Sequence, residues 1–137
     1  MSPRTRRCTD AITRGRLEKA EQFGEAAEII RAWTDEGDAA LGDAFVTLCV
    51  HAGIAAADVV CCTVLGEHAR GDEHTEALLL VGRVRPNGRE LANALSVLLS
   101  AKTRAGYGHQ PVPKETRIRA ARAMKRLVRE AHDRASG

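Results

Sequence analysis

Between Ala39 and Leu65 the chain reads AALGDAFVTLCVHAGIAAADVVCCTVL, a stretch whose apolar side chains point to nearly every side of a helical wheel. A helix without a polar face must be wrapped by neighbours. Suitable wrapping segments lie on both sides of it. Apolar residues make up 44% of the 137-residue chain but aromatics only 3%, so the core has to be built from Ala, Leu, Val, Ile and Cys. Those residues favour closely packed helices. A chain of this length supports one core that buries roughly 65 to 70% of its unfolded surface. The expectation is an all-α, up-and-down helical bundle of about five helices, with a basic leader over 1–9, one domain over 10–134 and a tail over 135–137.

Upstream, Thr9 or Asp10 can cap a helix in which Leu17, Ala20, Phe23, Ala27, Ile30 and Trp33 recur at three- and four-residue steps. That period assigns Phe23 and Trp33 to the core in preference to base stacking. The run TDEGD over 34–38 is a turn cluster in which Asp38 can cap the central helix. Gly66 ends that helix, and a short helix is expected at about 73 to 83. Arg85-Pro86-Asn87-Gly88-Arg89 is a turn. From Glu90 the positions Leu91, Ala94, Leu95, Leu98, Leu99 and Lys102 are helical again. Gly106, Gly108, Pro111 and Pro113 break this helix, and a last one begins near Lys114 with Ile118, Ala121, Met124, Leu127, Val128 and Ala131 facing inward. No strand-like alternation is present.

Charge is segregated along the chain. Residues 1–19 carry six basic and two acidic groups, 20–100 five and thirteen, 101–113 two and none, and 114–137 eight and three. Basic ends around an acidic middle suit a bound polyanion or two protomers meeting through complementary faces, although solvated helix exteriors explain the pattern equally well. Cys8, Cys49, Cys61 and Cys62 have neither zinc-finger spacing nor a C-x-x-C pair. They are expected to be reduced core residues of a cytoplasmic protein. The N-terminus lacks an apolar targeting core, and no membrane span is expected.

Three groups of residues carry candidate chemistry. Thr47, His51 and Asp58, at offsets of four and seven, share one stripe of the central helix, so a buried Asp58 should meet a cation from another helix. Either Asp58 and His51 form a satisfied core pair, or one of them orients Lys102 or Arg104. The second group is the junction KTRAGYGHQPVP over 102–113, which gathers Lys102, Arg104, Tyr107 and His109 beside two glycines. Arg104 and His109 have the spacing R-x4-H, which permits metal-independent RNA cleavage. The arginine would stabilise the charge building on phosphorus, while the histidine takes the ribose 2′-hydroxyl proton. Arg126 and His132 have a similar spacing, but they are not at a broken helix end. The third group is Arg119, Arg122, Arg126 and Arg129, a basic stripe suited to phosphate contact or to docking on acidic helix faces. His68, Asp72, Glu73, His74 and Glu76 are metal-ligand types at no established spacing, so no metal or other cofactor is expected.

The succession of a long first helix, HAGIAAAD (His51 to Asp58), GDEHTEALLL (Gly71 to Leu80), KTRAGYG (Lys102 to Gly108) and a basic last helix resembles the HEPN superfamily. In particular it resembles the small stand-alone HEPN-like proteins of actinobacteria, and the likeness covers about residues 10–134. It implies a helical bundle, a homodimer, and a metal-independent endoribonuclease of the toxin–antitoxin or defence type, with RNA as substrate and a cognate antitoxin or regulatory partner. The catalytic pattern of the superfamily falls on Arg104 and His109, assisted by Lys102 and Tyr107. Ala105 stands where a polar residue is common, and the stand-alone relatives resemble a K-x4-Y pattern, here Lys102 and Tyr107. Non-catalytic HEPN-like modules that bind nucleic acid or a protein partner are the alternative.

Overall fold

The computed structural model describes residues 3–34, 40–71 and 74–137. In chain order the elements are β1 (Thr5–Arg7), α1 (Asp10–Trp33), α2 (Gly42–Leu65), β2 (Glu67–Ala69), α3 (His74–Gly82), α4 (Gly88–Tyr107) and α5 (Lys114–Ser136). The architecture is an all-α bundle with one small antiparallel sheet.

The apolar helix α2 lies at the centre, packed against α1, α4 and α5. By length and composition it could cross a membrane, but its apolar surface is taken up mostly by these neighbours. Small residues set the helix spacing. Ala20, Gly24 and Ala27 form the buried face of α1, and a Cβ on Gly24 would stand against Met124 and Val128 of α5 and Ala52 of α2. Gly53 leaves room for Leu98 of α4, because a Cβ there would collide with the Leu98 Cδ1. Leu91, Leu95 and Leu98 of α4 and Met124 and Leu127 of α5 complete the core.

Local signals fix some helix ends. Thr9 caps α1 by accepting a hydrogen bond from the Ile12 amide at 3.2 Å. Gly66 ends α2 with φ +76°, a conformation that favours glycine. The Asp38 cap lies outside the described residues, and Leu41 precedes α2 with no side-chain cap. The helix α4 runs through Gly106 to Tyr107 and stops at Gly108, so Gly106 is not a breaker.

Three expectations are corrected. The leader is tied down and contains a strand: β1 pairs with β2 in the register Thr5↔Ala69, Arg6↔His68 and Arg7↔Glu67. Next to that ladder, Cys8 and Cys62 form a disulfide between residues 54 apart in sequence, leaving only Cys49 and Cys61 free and buried. Spacing rules survey local pairs, whereas this bond arises because the turn at Gly66 sends the chain back along its own N-terminus. Such a bond persists in oxidising surroundings, so the cysteines no longer argue for a cytoplasmic protein. Finally, Trp33 is 85% exposed rather than in the core. It occupies the last turn of α1, where Ile30 and Thr34 line a cavity with α2 and α5, whereas position 33 is turned about 120° away from the line of buried Ala27.

Candidate functional site

The four junction residues do not share one site. Lys102 is half-buried and lines a cavity of about 400 Å³ on one side of α4. Arg104 lies on the other side, in a groove of about 340 Å³ with Ser96, Ser100, Thr116 and Arg119. One Arg104 Nη2–H donates to the Pro111 carbonyl at 3.0 Å, closing a loop that spans His109. Tyr107 is 84% exposed, and His109 is exposed as well. The helical period explains the split: residues 102 and 104 are two positions apart and point about 200° apart around the axis.

The Lys102 cavity collects polar residues from four helices and β2. His51 and Asp58 come from α2, Arg16 from α1, His74 from α3, and His68 from β2, with Arg70 just beyond that strand. Asp58 is the single carboxylate in this lining among the described residues. Its partner is Arg16, whose Nε donates to Oδ2 at 3.0 Å and whose Nη2 lies 2.7 Å from the same oxygen in an ion pair. The expected cation from another helix is therefore present, and it comes from α1. Burial pushes the Asp58 carboxyl above its ordinary value, while the Arg16 charge and hydrogen bond, and more weakly His68, pull it back.

The imidazoles around this pair are held in different ways. The His68 Nδ1 lies 2.9 Å from the Ala69 carbonyl. A carbonyl only accepts, so Nδ1 is the donor in this contact. His51 is exposed and packs against the Phe23 ring at 5.7 Å between centroids. No group of His, Cys, Asp or Glu with metal-ligand geometry occurs among the described residues, and Asp72 and Glu73 lie outside them. Arg16 and Arg70 were not anticipated from sequence. A legible signal existed for Arg16, which precedes Ala20, Gly24 and Ala27 at steps of four, four and three on the buried face of α1.

Arg119, Arg122, Arg126 and Arg129 are all exposed on α5. They do not dock on neighbouring helices. Among the described residues Arg126 has one carboxylate, Glu130 of its own helix at 4.0 Å, and the other three have none within ion-pair distance. Arg119 also lines the Arg104 groove, so the stripe continues onto the end of α4.

No protein-family model matches the chain, and no curated protein matches it.

Proposed function

We propose that this chain is a HEPN-like helical module that binds the phosphate backbone of RNA or another nucleic acid. The observation that carries the reading is the exposed arginine stripe on α5, extended by Arg104, with one weak carboxylate contact along it among the described residues. From Arg119 to Arg129 the stripe covers about 15 Å at the helical rise, enough for two or three successive phosphates. Guanidinium groups suit this task because each presents donors in a planar fork to phosphate oxygens. Without aromatic side chains between the arginines, the stripe fits backbone contact better than base reading.

The endoribonuclease reading belongs to the same proposal as its stronger form. It requires Arg104 to exchange the Pro111 carbonyl for a scissile phosphate within reach of His109. Lys102 faces another cavity, so it would not act on that phosphate from the same protomer. A homodimer or a regulatory partner would be needed to bring further groups there.

One experiment tests both forms. Fluorescence anisotropy with a single-stranded RNA oligonucleotide should give a log–log salt slope of about −3 for four phosphates neutralised. Arg119→Gln with Arg126→Gln should make it shallower by about 1.4. An unchanged slope removes the stripe from the binding face. The same mixture, kept in EDTA, is then analysed for products ending in 2′,3′-cyclic phosphate. Cleavage lost in both Arg104→Ala and His109→Ala establishes the nuclease; intact RNA with salt-dependent binding leaves the binding module.

A further inference from the structure

A further cavity among the described residues is on neither the Lys102 side nor the Arg104 side of α4. It lies between the end of α1, the start of α2 and the first half of α5, and its volume is about 490 Å³. That is the size of a small-molecule site. Its wall is aliphatic, from Ile30, Leu41, Ile118 and Ala121, with Phe45 behind them. Five cations surround this wall: Arg31, Lys114, Arg117, Arg122 and Lys125. Among the described residues, no carboxylate is part of the lining.

The cations differ in how far they are already engaged. Lys125 lies 3.6 Å from Glu28, which is outside the lining. The Arg117 side chain crosses the start of α2 so closely that a Cβ on Gly42 would come within 2.9 Å of its Cδ. Arg31, Lys114 and Arg122 have no hydrogen bond or ion pair among the described residues. A core-filling role does not explain Arg31, Lys114 and Arg122, whose side chains are unpaired among the described residues, around an open aliphatic wall, since neither feature stabilises the fold. A ligand with an aliphatic body and an anionic end uses both.

We infer that this cavity binds an aliphatic phosphate, with the chain on Ile30, Leu41 and Ile118 and the phosphate among Arg31, Lys114 and Arg122. A planar aromatic ligand fits less well, because Phe45 is only 6% exposed and offers no ring face for stacking. The site is separate from the proposed nucleic-acid face except at Arg122, so it can be tested with residues outside the stripe.

The protein carries its own reporter. Its single tryptophan, Trp33, precedes the cavity residue Thr34 and is largely exposed. Decyl phosphate, titrated below its micellar concentration, should change Trp33 fluorescence saturably, while decanol and inorganic phosphate each bind at least about tenfold more weakly. Arg31→Gln with Lys114→Gln, both exposed and outside the stripe, should weaken decyl phosphate at least about tenfold and leave the far-ultraviolet circular dichroism unchanged. Phosphatidic acid vesicles form a second arm. If they bind and the same double variant weakens them, the aliphatic phosphate is a membrane lipid; if they do not, it is a free amphiphile. Equal binding of inorganic phosphate, or decyl phosphate binding that survives the double variant, overturns the inference. So does vesicle binding without decyl phosphate binding. Asp35, Glu36 and Asp38 follow Thr34 in sequence, and binding that appears only after all three are neutralised would make the cavity an internal ion-pair site, which also overturns it.

Discussion

Removing Arg16 asks the structure what its central carboxylate costs. In Arg16→Ala the Asp58 Oδ2 loses a charge-assisted hydrogen bond of 3.0 Å and an ion-pair contact of 2.7 Å. Breaking a fully buried pair costs about 3 to 5 kcal/mol. Exposed pairs contribute about 0.2 to 1 kcal/mol. The side chains of Arg16 and Asp58 are 32% and 17% exposed, between these limits. The expected loss is about 2 kcal/mol at pH 7. In thermal unfolding this corresponds to a fall of about 6 to 10 °C for a domain of this size.

The pH dependence provides the sharper check. Burial raises the Asp58 pKa in the folded chain, so the native state holds that proton more tightly than the unfolded state. Ionisation of Asp58 therefore removes stability as pH rises from the unfolded carboxyl value through the folded one. Without Arg16 the folded value climbs further, because the largest force opposing burial is gone. The cost of Arg16→Ala should be greatest above the folded pKa and shrink in acid, where a neutral Asp58 needs no cation. Urea unfolding of the parent, Arg16→Ala, Asp58→Asn and the double variant should give a coupling of about 1 to 2 kcal/mol at neutral pH. An Arg16→Ala cost that is the same in the Asp58→Asn background and at every pH would refute the ion-pair account. It would mean that the arginine stem acts by packing alone.

Other elements make equally definite demands. Cys8→Ser opens a link between residues 54 apart and should lower stability by about 4 kcal/mol, a loss that reductant reproduces in the parent but does not add to the variant. Burial pushes the Cys49 and Cys61 thiols up to about 12, so both should resist a thiol reagent at pH 8 until denaturant is added. The Asp43 Oδ1 accepts from the buried Val112 amide at 2.9 Å, so Asp43→Ala should cost about 1 to 3 kcal/mol in chemical denaturation while Asp43→Asn recovers most of it. Trp33→Ala should change the unfolding free energy by less than about 0.5 kcal/mol, because the side chain is exposed.

The sequence made the bundle legible because its signals are local. The all-apolar stretch over 39–65, the three- and four-residue periods of α1, α4 and α5, and the turn at Arg85–Arg89 each depend on neighbours within a few residues. Where local reasoning failed, long-range geometry was in control. The strand β1 exists only because β2 returns beside it, and the Cys8–Cys62 bond joins the two ends of that return. Trp33 follows Ile30 by a step of three, yet repeated steps of three rotate backwards around the helix, and position 33 ends about 120° away from the line of buried Ala27.

The candidate chemistry divides along the same line. Asp58 was recognisable as a charge on the central helix, because an isolated carboxylate in an apolar run must find a partner. Which partner it finds depends on how α1 lies against α2, and that packing is set by the small residues Ala20, Gly24 and Ala27 rather than by any charge. Arg16 continues their line, so it arrives at Asp58, while Lys102 reaches the same cavity from α4 without an ion pair among the described residues. The junction over 102–113 looked like one site because its residues are close in sequence. On a helix, residues two apart face opposite ways, so proximity along the chain placed Lys102 and Arg104 in different surroundings. Arginines spaced at three and four on α5 have the opposite relation: they are distant in sequence but share one exposed face. For this protein the period of the helix, more than the density of reactive residue types, decides which groups can share one site.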